Sequence, residues 1–254
     1  MIRHRASSSP IVRPGFSRER AASLAVAAEE TPLFPTTVDD LFFYLDSIEE
    51  YARTGVTETL TTWTDESAAG NDATNTGSAC PKTRNAFAAI PTPYVLCEAG
   101  DYLSLPSITF SAIDYTYFCV FRCTASFSVE CKLLDVQTGR TILYAQTSAG
   151  AQASGYYDGS TQVVGGSSLT WGLHTWRLKG ASNEGKMWLN TTARPSAGTY
   201  TQRAFGGSYK LFAHYNTASG SFIGEVGCIL GYSRALTDQE VADVQAWLID
   251  RFEI

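Results

Sequence analysis

Histidine is scarce in this chain, with three copies among 254 residues, His4, His174 and His214. No G-x-S-x-G turn is present and no cysteine is patterned with a histidine, so nucleophilic catalysis has few of its usual parts. His174 precedes a tryptophan in a strand-like run and reads as a packed residue rather than a base. Charge is sparse at 17% and sums to −6, which argues against a general nucleic-acid binder. No apolar run approaches the roughly 20 residues that span a bilayer. The basic start is followed by S-S-S-P-I-V-R-P-G rather than an apolar stretch, so no secretory signal is read there and folding in a cytoplasm is expected. Six cysteines occur without zinc-like or disulfide-rich spacing. Cys119 and Cys123 alternate with Tyr117 and Phe121, Cys131 with Val129 and Leu133, and Cys228 with Val226 and Leu230. That pattern suits reduced thiols acting as small core hydrophobes. Cys80 with Cys97 is the pair to examine for a disulfide.

Aromatics, glycine, serine and threonine are plentiful, and they fall into many short alternating runs separated by turn residues. About a dozen strands are expected. They run at 41–46, 60–64, 102–105, 115–123, 129–136, 141–146, 153–157, 161–164, 173–179, 186–190, 209–215 and 222–232. The segment from Glu66 to Thr92 is poorly patterned and reads as a surface loop. So many strands at short spacing predict an all-β fold, a two-sheet antiparallel β-sandwich. Residues 1–37 differ in kind: Pro10, Pro14, Pro32 and Pro35 interrupt them, and no alternation is sustained. The division is therefore an extended basic N-terminal arm at 1–37 and a sandwich domain at 38–254.

The last stretch changes period within itself. Phe222–Tyr232 alternates as a strand, with Val226, Cys228 and Leu230 on one face. Thr237 and Glu240 then form a T-x-x-E capping box. Val241, Val244, Leu248 and Phe252 recur at helical spacing, with Trp247 beside them, so a short C-terminal helix is expected to pack on the sandwich. The run G-E-V-G-C-I-L-G-Y-S-R-A-L-T-D-Q-E-V-A-D-V-Q-A-W-L resembles the last strand and closing helix of LamG-like jelly-roll domains, which belong to the concanavalin A-like sandwiches. Leu41–Asp46 with W-T-D-E-S-A-A-G-N-D-A from Trp63 to Ala73, G-D-Y-L-S-L from Gly100 to Leu105, and L-H-T-W with M-W-L-N, ending at Trp176 and Asn190, are similar to other strands of that family. The resemblance spans roughly residues 40–254. It implies the fold, and it implies relatives in phage virions and in bacterial secreted proteins. The paired strand carboxylates of glycosidases with this fold are missing. Glu130 and Asp135 have odd spacing and should face opposite ways, so no enzyme is expected.

Three sets of residues are candidates for function. Arg3, Arg5, Arg13, Arg18 and Arg20, against the single Glu19 in the first twenty positions, could tie the arm to an acidic multimeric surface through bidentate forks. Tyr156, Tyr157 and Asp158 end one strand, and His214, Tyr215 and Asn216 end another, offering rings and polar groups to a sugar. Asp65 and Asp72 are weak metal candidates for Ca²⁺, read first as turn formers; no cofactor is expected. Trp63, Trp176 and Trp188 read as core. The leading functional reading is a non-enzymatic virion protein of a tailed phage, displayed on a multimeric capsid or tail shell and anchored by its arm. The alternative is a carbohydrate-binding module of a bacterial surface or secreted protein, extracellular and with a cell-surface glycan as partner.

Overall fold

A computed structural model of the chain describes residues 38–87, 89–107, 114–124, 131–138, 142–148, 151–157, 162–165, 170–182, 184–194, 206–213 and 221–254. The five arginines of the arm, and Asp158, His214, Tyr215 and Asn216, lie outside them. Among the described residues sixteen strands follow in chain order. They are β1 (Leu41–Asp46), β2 (Thr62–Trp63), β3 (Ala73–Thr74), β4 (Lys82–Arg84), β5 (Tyr94–Cys97), β6 (Leu103–Leu105), β7 (Tyr115–Cys123), β8 (Cys131–Thr138), β9 (Ile142–Ser148), β10 (Ala151–Tyr157), β11 (Gln162–Gly165), β12 (Gly172–Lys179), β13 (Glu184–Leu189), β14 (Thr192–Arg194), β15 (Gly206–Leu211) and β16 (Gly224–Tyr232). A short helix (Ser47–Thr54) follows β1, and the C-terminal helix (Asp238–Phe252) closes the chain.

The strands form two antiparallel sheets. The first has the order β14-β13-β12-β7-β16-β5-β4, with β1 also paired to β16; the second runs β11-β10-β9-β8-β15-β6-β3-β2. Buried side chains between them include Phe43, Leu45, Trp63, Tyr117, Phe121, Leu134, Trp176, Tyr209, Leu211 and Phe222. The all-β sandwich expected from the alternation is therefore what the chain adopts. Part of the segment read as a loop is ordered into β3 and β4. These strands are two and three residues long, too short for alternation to register.

The first sheet is buried on both faces. Its outer side packs Phe118, Val120, Leu173, Cys228, Leu230 and Tyr232 against Val241, Val244, Leu248 and Phe252 of the C-terminal helix. That explains why β7, β12 and β16 are continuous buried runs rather than clean alternations. The helix begins as its sequence requires. Thr237 caps it, its hydroxyl accepting from the Glu240 N–H while the Glu240 carboxylate accepts from the Thr237 N–H at 2.7 Å.

Strand β16 departs from simple alternation. The pairing with β7 shifts between Val226 and Cys228, placing Val226 between the sheets with Ile229, while Cys228 and Leu230 meet the helix. Val226 and Cys228 thus do not share a face, because Gly227 is an extra residue, a β-bulge. A Cβ on Gly227 would stand 2.9 Å from the Phe252 ring, so glycine at this point lets the helix seat closely. Trp247, by contrast, is only half-buried at the rim, edge-on to Tyr44 with ring centroids 5.9 Å apart.

Short helix Ser47–Thr54 was not foreseen in the sequence. Asp46 caps it, accepting from the Ile48 and Glu49 N–H groups, and Gly55 ends it at positive φ. Arg251 of the C-terminal helix donates to the fully buried Asp46 at 2.5 Å and to Glu49 at 2.7 Å. One ion-pair cluster therefore links both helices to β1.

Candidate functional site

The residues singled out as metal ligands are turn formers by their contacts. Asp65 accepts from the backbone N–H groups of Tyr44 (2.8 Å), Ser67 (2.9 Å) and Asn71 (2.6 Å) and from the Ser67 hydroxyl (2.8 Å). Asp72 accepts from the Asp65 N–H at 2.8 Å, and the Asn71 amide donates to the Phe42 carbonyl at 2.6 Å. These bonds close the loop onto β1. Among the described residues no three His, Cys, Asp or Glu side chains converge as a metal-holding group.

Cys80 and Cys97 are separate thiols, so the one disulfide considered is not formed. Cys97 is fully enclosed, and Cys80 lies 3.2 Å from the Gly77 carbonyl, to which it donates. Cys119 and Cys228 are likewise free thiols, and with Cys123 they are buried as small core hydrophobes.

His174 is buried, its ring 4.2 Å from that of Phe121 and 5.9 Å from Trp176. Burial, and secondarily Arg194, lower its pKa to about 3, which keeps the imidazole neutral. It is a packed strand residue.

Of the residues proposed for sugar contact, Tyr156 and Tyr157 are placed by their backbone. Tyr157 pairs with Ile142, Ile142 with Asp135, Asp135 with Lys210 and Lys210 with Ser104. Tyr156 pairs with Leu143, which pairs with Leu134 and, beyond it, Leu211, two residues of the inter-sheet core. The two tyrosines therefore occupy adjacent rows, one polar and one apolar.

The described residues hold a better-formed site on the opposite sheet. A helix is about 10–12 Å across, enough to cover two or three strands spaced about 4.8 Å apart. The C-terminal helix rests on β12, β7 and β16, so the outer faces of β13 and β14 extend beyond it. A groove of about 320 Å³ lies along that step, lined by Lys186, Trp188, Thr191, Ala193, Asp238, Val241, Ala242 and Gln245. Trp188 is the ring of this groove. It pairs with Thr175 across β12, whereas its neighbour Met187 pairs with the core residue Trp176. Trp188 thus belongs to the face away from the inter-sheet core and is half-buried, not part of that core as its sequence context suggested. The clue available in the sequence was the phase: Met187 and Leu189 flank it, so the strand's apolar residues cannot all share one face.

Beneath the ring lies a buried cation. Arg177 is 1% exposed and its guanidinium carbon stands 5.3 Å from the Trp188 centroid. It donates to the Leu236 carbonyl at 2.9 Å and pairs with Asp238 at 2.5 Å, with Glu184 3.6 Å away. The bond from Arg177 holds the Asp238 carboxyl below the usual carboxylate range. Lys186 lies 3.3 Å from Glu184 and 3.9 Å from Asp238. Gln245, buried at the groove floor, donates to Thr175 at 3.0 Å. The ring is therefore pinned from below and flanked by an ion-pair network. Such a groove suits a ligand with one apolar face and several hydroxyls.

No family model matches the chain, and no curated protein matches it in sequence. Solved structures do. Domain 4 of AbnA, a GH43 extracellular arabinanase from Geobacillus stearothermophilus in complex with arabinotriose, superposes with a TM-score of 0.58 at 14% identity, covering 81% of this chain and 98% of that one. The binding domain of Paraclostridial Mosquitocidal Protein 1 gives 0.57 at 12% identity, over 82% of this chain and 52% of that one. A sialidase from Trypanosoma rangeli, with 2,3-difluorosialic acid as a covalent intermediate, gives 0.59 at 11% identity, over 84% of this chain and 33% of the enzyme. The likeness is one of fold.

Proposed function

We propose that this chain is a non-catalytic carbohydrate-binding module that works outside the cell, holding a saccharide in the groove along β13, β14 and the C-terminal helix. The observation that carries the reading is Trp188, an indole left half-exposed in a groove and backed by Arg177. The apolar C–H face of a sugar ring stacks on the electron-rich face of an indole, while side chains around it meet the hydroxyls. A volume near 320 Å³ stands at the lower end of the ~300–1,000 Å³ range of ligand pockets, which suits a short saccharide segment. Asp238, held ionised by Arg177, suits accepting a hydroxyl bond rather than giving a proton to a glycosidic oxygen. The fold likeness supports the same reading, since one similar structure contains arabinotriose and another is the binding domain of Paraclostridial Mosquitocidal Protein 1.

The virion role ranked first from the sequence drew on the arm, whose arginines lie outside the described residues. None of the similar structures described above is a phage protein, and the carbohydrate alternative is the one they favour.

The test is saturable binding of the isolated protein to a glycan array, followed by calorimetry on any hit. Trp188→Ala should remove at least nine-tenths of the affinity, and Tyr157→Ala should leave it unchanged. If the tyrosine variant loses binding and the tryptophan variant keeps it, the site is on the second sheet and this assignment is wrong.

A further inference from the structure

We infer that the side-chain amide of Gln245 reads a free hydroxyl of the sugar unit that stacks on Trp188, so that this unit is bound unsubstituted at that oxygen. The inference rests on the carbohydrate-binding reading above and adds a specificity residue with the ligand feature it recognises. Gln245 stands where packing alone calls for an apolar side chain. On the C-terminal helix it lies one turn from Val241 and Leu248, both enclosed against the first sheet, and it is itself only 3% exposed. One half of its amide is satisfied: Nε2 donates to the Thr175 hydroxyl at 3.0 Å. The other half is not. Oε1 accepts from no group among the described residues, and it is not among the oxygens sealed inside the molecule without a partner. Since Gln245 lines the groove, that oxygen opens into it. Buried polar atoms are ordinarily paired, so an acceptor held open at a groove floor is a place for a donor from outside.

The amide's position relative to the indole follows from strand register. Thr175 and Trp188 are cross-strand partners on the face turned from the inter-sheet core. Side chains so paired stand about 5 Å apart, and Gln245 is bonded to Thr175. The amide therefore lies beside the indole, and a sugar ring resting on Trp188 brings its rim of hydroxyls to Oε1. The Thr175 bond fixes which atom meets them. With Nε2 turned to Thr175, the ligand faces an oxygen that only accepts, so the group opposite must donate. A free hydroxyl does so. An ether oxygen, in a glycosidic link or an alkylated hydroxyl, does not. Val241 and Ala242, the helix residues lining the groove next to Gln245, have apolar side chains and cannot take over the role.

The experiment combines proton–nitrogen correlation NMR with titration calorimetry of the full chain, using arabinotriose, cellotriose and maltotriose. The Gln245 side-chain amide signals are assigned by their loss in Gln245→Met, and the Trp188 indole N–H by its loss in Trp188→Phe. A triose that binds should shift both together. Gln245→Met keeps length and packing but offers no acceptor, and should bind that triose about ten-fold more weakly than the parent. Gln245→Glu keeps an oxygen toward the groove whether its carboxyl is ionised or protonated, and should bind within three-fold of the parent. Melting and circular dichroism establish that both variants are folded; should either unfold, the amide signal of the parent decides. A triose that shifts the indole and leaves the amide in place overturns the inference while leaving the carbohydrate reading intact. So does a folded Gln245→Met that binds as the parent does, or a folded Gln245→Glu as weak as Gln245→Met. If no triose shifts the indole, the carbohydrate reading of this groove itself fails and the inference falls with it.

Discussion

His174 should make this protein lose stability on mild acidification, before most carboxylates titrate. The imidazole is 1% exposed, packed against Phe121 and Trp176, and its pKa is lowered to about 3 in the folded state. In the unfolded chain the same group titrates near 6.5. Below that value the unfolded state binds a proton that the folded state excludes, so stability falls as pH falls, from about 6.5 toward 3. The slope approaches about 1.4 kcal/mol per pH unit, hence about 2 kcal/mol between pH 6.5 and 5. For a domain of this size that corresponds to roughly 4–8 °C in melting temperature. The perturbation is His174→Phe, since an aromatic ring already packs beside this position on each side. The assay is urea unfolding of parent and variant at half-unit intervals from pH 7 to 5. Groups common to both proteins cancel in the difference, which should change by about 2 kcal/mol across the window. Any fixed cost of the substitution shifts the difference without tilting it. A pH-independent difference would refute the argument, because His174 would then titrate alike folded and unfolded.

Two further predictions concern the closing helix. Leu248→Ala should cost about 2–5 kcal/mol, because Leu248 is fully enclosed against the first sheet, while Trp247→Ala should cost less, its ring being half-buried at the rim; chemical denaturation of both variants decides, and the reverse order would mean the helix is rotated. Glu240 is held at a pKa of about 2, first by Arg234, which donates to it at 2.5 and 2.9 Å, with the Thr237 bonds adding to the effect. A depressed carboxyl stabilises the fold above its unfolded value near 4.3 and loses that contribution as pH falls toward 2. Glu240→Gln should therefore be less stable than the parent by about 1 kcal/mol at pH 7, and their denaturation midpoints should converge by pH 2.

Period and capping are local properties, and the sequence alone determined what depends on them. The apolar, aromatic-rich run Tyr115–Cys123 marked that strand at its observed ends, and T-x-x-E placed the start of the last helix at Thr237. A reading by period breaks down where an element is too short to show one, as in β3 and β4, or where its fit depends on a partner. The bulge at Gly227 is such a case: strict alternation assigned Val226 and Cys228 to one face, and only pairing with β7 and contact with Phe252 separate them. Ser47–Thr54 has little apolar content to mark it, and its cap Asp46 is also the buried partner of Arg251, about two hundred positions away. The groove belongs to the same class. Trp188 looked like core because a tryptophan in a strand usually is, and nothing local says how far across a sheet a helix will reach. The helix covers β12, β7 and β16 but does not extend over β13 and β14, which leaves the indole only half-buried beside Lys186 and Asp238. Whether a strand's outer face is core or binding surface depends on the width of what lies across it, a distance set by packing between segments far apart in the chain.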